Sequence, residues 1–205
     1  MSGHSVIHVV EDDEAMRDSI VELLRDGGYI VRAYTRAEEL LARGATIEPG
    51  CIVSDVRMPG MDGLTLLRRL RAGGSAIPLM LITGHGDISM AVAAMKAGAI
   101  DFLEKPFEAD ELLASIAAAL PAASGGTAKD SETSRQLLQK LTSREYEVLE
   151  RLVSGKSNKE VAAQLGISPR TVEFHRAHVM EKMAAKGLPE LVRIWLSADL
   201  SQLTK

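Results

Sequence analysis

Cys51-Ile-Val-Ser-Asp-Val-Arg-Met-Pro-Gly-Met-Asp-Gly63 is the stretch whose reading decides the fold. A short apolar run ends on the Asp55 carboxylate, and a Pro/Gly turn follows at once. An open α/β sheet presents side chains in this way, at the carboxyl edge of a strand, where such folds bind their ligands. An aspartate in this place also serves as a cap for turns and helices, so Asp55 by itself does not define a function. Three further runs end in the same manner. Val6-Ile-His-Val-Val10 leads into Glu11-Asp12, Pro78-Leu-Met-Leu-Ile82 into Thr83, and Ile100-Asp-Phe-Leu-Glu104 into Lys105-Pro106. All four endings are expected to converge on one edge of one sheet.

Helical periodicity fills the intervals between these runs. Met16, Ile20, Leu23 and Leu24 recur at helical spacing within 15–26, Asp13 and Glu14 are placed to cap or begin that helix, and Gly27-Gly28 ends it. Strand-like Tyr29–Ala33 and a short helix over 37–43 follow. Further helices are expected over 64–71, 88–97 and 110–120, with strands over 51–54, 78–82 and 100–103. Five βα units of this kind predict an α/β fold, a doubly wound five-stranded parallel sheet of flavodoxin-like strand order 2-1-3-4-5. Pro121–Asp130 lacks large apolar residues and reads as a linker. A short helix over about 131–140 and then an all-α region follow it. The expected organisation is therefore 1–121, a linker over 122–135, and 136–205.

The 205 residues are 46% hydrophobic and 25% charged, an ordinary globular composition. A single cysteine, Cys51, excludes an internal disulfide and fits a reducing cytosol. There is no membrane-length apolar run and no signal-peptide layout, so a cytoplasmic protein without a membrane partner is expected. Charge is unevenly divided. Residues 1–123 hold 11 basic and 18 acidic side chains, whereas 135–205 hold 12 and 8. An acidic front and a basic back suggest that only the back half meets a polyanion.

An acidic pair, an aspartate, a threonine and a lysine, ending successive strands in that order, resemble the receiver domain of two-component response regulators. The likeness runs from residue 5 to about 120. Glu11, Asp12 and Asp55 would lie close together, and clustered carboxylates need a cation or a raised pKa; a hard divalent ion such as Mg²⁺ suits oxygen ligands and a phosphate. The resemblance implies that Asp12, Asp55 and the backbone carbonyl of Arg57 ligate Mg²⁺, with Glu11 acting through a bound water. It also implies that Asp55 accepts a phosphoryl group from a sensor histidine kinase. Lys105 and Thr83 then contact the phosphoryl oxygens. It further implies a cis Lys105-Pro106 peptide, and a switch at Phe102, for which permanent burial is the alternative. His85, between Gly84 and Gly86, reads as a solvated loop residue.

In the basic half, Thr142 and Glu145 spell a capping box, with Val148, Leu149, Leu152 and Val153 as the apolar face behind it. A helix over 157–165, the Gly166-Ile-Ser168 turn and Pro169 at the start of the next helix make a helix-turn-helix. Leu141-Thr-Ser-Arg-Glu145, Asn158-Lys-Glu-Val-Ala162 and Ile167-Ser-Pro-Arg-Thr-Val-Glu-Phe-His175 resemble the LuxR-type output domain. On the third helix Val172, Val179 and Met183 should pack inward; Arg170, Glu173, Phe174, Ala177 and Glu181 should face a major groove. Arg170, Thr171, Glu173, Phe174 and Ala177 are candidates for contact with promoter DNA, and Lys156, Asn158, Lys159, Arg176 and Lys182 for its backbone. The last helix, over 188–200, carries Trp195 either as core or as a surface pairing two output domains.

Together the two likenesses identify a response regulator of the NarL/FixJ class, and 82–107 and 168–180 resemble its FixJ branch. That implies a transcription activator, not an enzyme, which dimerises on phosphorylation and works with RNA polymerase, with nitrogen-fixation or microaerobic genes as targets. A phosphoaspartate hydrolase would carry a second acid two residues after the nucleophile, where this chain has Arg57. A DNA-binding regulator with a vestigial receiver is the remaining alternative.

Overall fold

The computed structural model describes residues 5–84, 88–120 and 128–199. Contacts divide these into two compact units, 5–84 with 97–120, and 88–96 with 128–199. His85 and the expected linker residues 121–127 lie outside the described residues.

The first unit is built on strands β1 (Val6–Val10), β2 (Ile30–Tyr34), β3 (Gly50–Asp55), β4 (Leu79–Thr83) and β5 (Asp101–Glu104). They form one parallel sheet in the order β2-β1-β3-β4-β5, as expected from the alternation of strand and helix patterns. Register sets the edge: Val10 pairs with Ser54, Asp55 with Ile82, and Thr83 with Glu104. The carboxyl ends of β1, β3, β4 and β5 therefore lie side by side. Helices α1 (Glu14–Asp26) and α5 (Ala109–Ala119) supply Ile20, Leu24, Leu112 and Ile116 to a core with Ile7, Val9, Cys51, Val53, Met80 and Ile82. The period-2 pleat sends the alternate residues Ile52, Leu79 and Leu81 to the opposite face. They are fully buried, as are Leu40 of α2 (Ala37–Leu41) and Leu66 and Leu67 of α3 (Gly63–Ala72). Cys51 sits in the middle of this packing, and burial pushes its thiol up to about 12. After β4 the chain forms α4 (Ile88–Lys96).

Most boundaries shift by a residue from the sequence reading, and two of the shifts have a clear local reason. Tyr29 is tied back to the end of α1, since its N–H donates to Leu24 O across the positive-φ Gly28, and β2 starts one residue later. The second helix stops at Leu41, and the chain tightens into a 3₁₀ turn over Gly44–Thr46.

The second unit contains α6 (Ala128–Leu138), α7 (Ser143–Val153), α8 (Asn158–Leu165), α9 (Pro169–Lys182) and α10 (Leu188–Asp199). α6 begins before residue 131 and takes in part of the segment expected as linker. The expected helix is there, and its polar composition hides only its early start; a tertiary contact supports it, since buried Ser134 shares a hydrogen bond with Ser197 of α10 at 2.7 Å. Val148, Leu152, Val161, Ala162 and Val172 form the core of α7, α8 and α9. Gly166 closes α8 in the left-handed region at φ +65°, which lets the chain turn into α9 without Cβ strain. Tyr146 and Trp195 meet at 5.4 Å, so Trp195 is half-buried against α7.

Gly63 fixes how closely α3 approaches β3. A Cβ there would collide with Asp55 O and crowd Leu81 and Ser54 Oγ. Gly63→Ala is therefore expected to lower stability by about 1–3 kcal/mol, as overpacking does, and to shift the thermal melting midpoint of the chain downward.

Candidate functional sites

Asp55, Glu11 and Lys105 meet at the carboxyl edge of the sheet. Lys105 Nζ donates to Asp55 Oδ1 at 2.6 Å and to Glu11 Oε2 at 2.7 Å. Both carboxylates are almost wholly buried and Asp12 is exposed beside them. Asp55 Oδ2 accepts the Arg57 N–H at 2.5 Å, which turns the carboxylate toward the following loop. Thr83 is buried at the end of β4. The Lys105-Pro106 peptide is cis, as expected.

Burial raises the Glu11 pKa, and the Asp55 charge adds to this, while Lys105 works against both. Burial also acts to lower the Lys105 pKa, but its hydrogen bonds to Asp55 and Glu11 outweigh that and hold it above the ordinary lysine value. The ammonium is thus charged at neutral pH. Glu11, Asp12 and Asp55 each offer an oxygen, and these atoms lie within 4.8 Å of one another. Three convergent hard oxygens fit a small divalent ion.

Two anchors of this site went unread in the sequence. Glu38 of α2 accepts the Met61 N–H at 2.9 Å and holds the loop after β3. Arg17 of α1 donates to Glu11 O at 3.0 Å and Asp12 O at 3.4 Å. Neither bond leaves a local signature. Asp13 does cap α1, through Met16 N–H at 2.8 Å. Phe102 is buried in this structure.

In the second unit α8 and α9 form the helix-turn-helix. Each starts on a serine cap, Ser157 and Ser168, and the Ser157–Glu160 pair is a second capping box that the S-x-x-E spacing could have revealed. The faces of α9 fall as expected. Val172, Val179 and Met183 are fully buried, while Arg170, Glu173, Phe174, Ala177 and Glu181 are exposed. Phe174 is 58% exposed, with its ring edge on His178 at 4.2 Å. Thr171 is half-buried and bonds Ser168. Asn158 begins α8, Lys159 is exposed, Arg176 is half-buried, and Lys156 donates to Gln164 at 2.8 Å.

Lys182 has another attachment. Its Nζ donates to both oxygens of Glu145, at 2.9 and 2.7 Å. The same carboxylate accepts the Thr142 N–H at 2.7 Å in the capping box. One buried acid thus clamps the start of α7 to the end of α9. Arg144 ties α7 to the end of α8 through Leu165 O at 2.8 Å. The Leu-Thr-x-Arg-Glu pattern is accordingly a set of three attachments within one fold.

A parallel 2-1-3-4-5 sheet with an acid-and-lysine edge, joined to a helix-turn-helix, defines a class, and comparison with known proteins agrees. Residues 7–117 match the response regulator receiver domain, and 139–195 match the bacterial regulatory proteins of the luxR family. The chain belongs to the two-component response regulators with a LuxR-type DNA-binding output domain. Among them it is similar to the transcriptional regulatory protein FixJ of Azorhizobium caulinodans, 48% identical over 95% of this chain and 93% of that protein. It is also similar to FixJ of Bradyrhizobium diazoefficiens, 46% identical over 97% of each. Full-length FixJ of B. japonicum is a structural neighbour, 45% identical with a TM-score of 0.53, over 96% of this chain and 98% of that one. Receiver domains bind Mg²⁺ at an acidic pocket of this kind. No helix among the described residues is long and apolar enough to cross a membrane.

Burial opposes the charge on Glu145, but Lys182 and Thr142 prevail and hold its carboxyl at about 2. A depressed carboxyl stabilises the fold above its unfolded value, near 4.5, and that contribution is lost as pH falls toward 2. Glu145→Gln is expected to cost about 2 kcal/mol at neutral pH. Urea denaturation of the full chain followed at Trp195 should show the gap from wild type closing between pH 5 and 2.

Proposed function

We propose that Asp55 is the phosphoacceptor and that its phosphorylation makes the chain a dimeric activator at promoter DNA. The observation that carries this reading is the Lys105 ammonium held between Asp55 and Glu11 at the sheet edge. A sensor histidine kinase supplies the phosphoryl group from a phosphohistidine. An Asp55 oxygen forms the new O–P bond as the N–P bond breaks, and the electron pair of that bond leaves on the imidazole. Lys105 meets the developing charge on the phosphoryl oxygens and the Thr83 hydroxyl donates to one of them. Glu11, Asp12, Asp55 and the Arg57 carbonyl would hold Mg²⁺, which when bound offsets the charge of the carboxylates and the phosphoryl group.

Phosphorylation then biases Thr83 and Phe102 and remodels the receiver surface on which two receivers pair. Pairing raises the effective concentration of the output domains on a two-half-site duplex. There Arg170, Thr171, Glu173, Phe174 and Ala177 read base edges; Lys156, Asn158, Lys159 and Arg176 meet phosphates. Lys182 reaches DNA only if it leaves Glu145. The bound dimer engages RNA polymerase in the cytoplasm. Likeness to FixJ supports nitrogen-fixation or microaerobic genes as targets. Arg57, where a phosphoaspartate hydrolase would carry its second acid, supports a regulator and not an enzyme. The proposed receiver spans 1–121 and the output domain 136–205.

Intact mass with Mg²⁺ and a small phosphodonor should show one added phosphoryl group on wild type and none on Asp55→Asn. Wild type alone should then gain affinity for duplexes selected from a random pool. Selection that proceeds equally well with Asp55→Ala would favour the vestigial-receiver alternative. Phe174→Ala should relax base preference at constant salt dependence, whereas Lys159→Ala should reduce the slope of log affinity against log salt by about 1.

A further inference from the structure

The first turn of α1 carries a cation aimed back at the loop that presents two of the carboxylates. Arg17 is half-buried, and its Nη1 donates to the main-chain carbonyls of Glu11 at 3.0 Å and Asp12 at 3.4 Å. β1 ends at Val10, so these carbonyls belong to the loop and not to the sheet ladder. Other restraints act elsewhere on the loop, among them the Lys105 bond to the Glu11 carboxylate. Glu11 N–H donates to Tyr34 O, the Glu11 carboxylate accepts the Asp13 N–H at 3.4 Å, and Asp13 caps α1. Arg17 holds the two carbonyls, which none of these bonds engages. It thereby sets the backbone from which the Glu11 and Asp12 side chains project.

We infer that Arg17 is a positioning residue for divalent-cation binding, acting on the Glu11–Asp12 main chain and not on the ion or the phosphoryl group. The inference rests on the acidic-pocket reading above. Hydrogen bonds from an ionised donor are about twice as strong as neutral ones, so two of them can hold a loop of this length in one conformation. The charge of Arg17 taken alone would act in the reverse sense, since a cation beside the pocket disfavours a second cation. The two roles therefore predict opposite changes when Arg17 is removed.

The test is Mg²⁺ titration of the full, unphosphorylated chain by calorimetry for wild type, Arg17→Met and Arg17→Lys, with small-donor phosphorylation rates measured across the same Mg²⁺ range. Methionine keeps the apolar stem and loses the donors; lysine keeps a charged donor. Arg17→Met is expected to weaken the Mg²⁺ Kd three- to tenfold, leave the rate at saturating Mg²⁺ within twofold of wild type, and be largely corrected in Arg17→Lys. A Kd that is unchanged or tighter in Arg17→Met would overturn the inference, as would a loss that persists in the Mg²⁺-saturated rate. Failure of the pocket reading is distinguishable, because wild type itself would then bind no Mg²⁺.

Discussion

Three carboxylates at one sheet edge repel one another, and the structure answers that repulsion with the Lys105 ammonium. Everything nearby follows from the need to bring this lysine to Asp55. Parallel pairing sets the ends of β1, β3, β4 and β5 side by side. Lys105 N–H donates to Thr83 O at 2.7 Å, which extends the β4–β5 pairing one residue past the strand and starts the lysine from a fixed point. Gly63 allows α3 to begin directly against Asp55. Glu38 and Arg17 then fix the two loops that carry the acids. Each attachment is modest; together they hold like charges at hydrogen-bonding distance from one cation.

The output unit meets a similar problem differently. Glu145 is a buried acid, and a buried acid is tolerated only where hydrogen bonds and a counter-charge satisfy it. Thr142 and Lys182 do so from opposite ends of the helix-turn-helix. The cation nearest the end of the recognition helix is therefore engaged within the fold, and the outward face of that helix is left to Arg170, Glu173, Phe174 and Ala177. That face mixes charge of both signs with an aromatic ring. Such a surface suits the reading of base edges better than general attraction to phosphate.

Strand order, the polar strand ends and the two faces of α9 were legible because each depends on a period or a terminal residue. A run of four or five mostly apolar residues ending on a polar or charged one leaves few alternatives, and Val172, Val179 and Met183 share one side of any α-helix. Arg17, Glu38 and Lys182 were not legible in the same way. Arg17 and Glu38 act on main-chain atoms of loops, and Lys182 bonds an acid 37 residues away, so no local pattern marks them. The helix α6 was expected, but its start was obscured for another reason. Its residues are polar enough for a linker, and the buried Ser134–Ser197 contact that supports the helix is tertiary.

Cys51 lies fully buried in the centre of the sheet, and burial holds its thiol well above the ordinary cysteine value, at about 12. The thiolate is the form that oxidants and electrophiles attack, and the sequence contains no second cysteine to form a disulfide with it. The chain thus offers the cell no reactive sulfhydryl. If oxygen or redox state governs the genes it controls, that information must be sensed by another molecule and reach this protein in a different chemical currency.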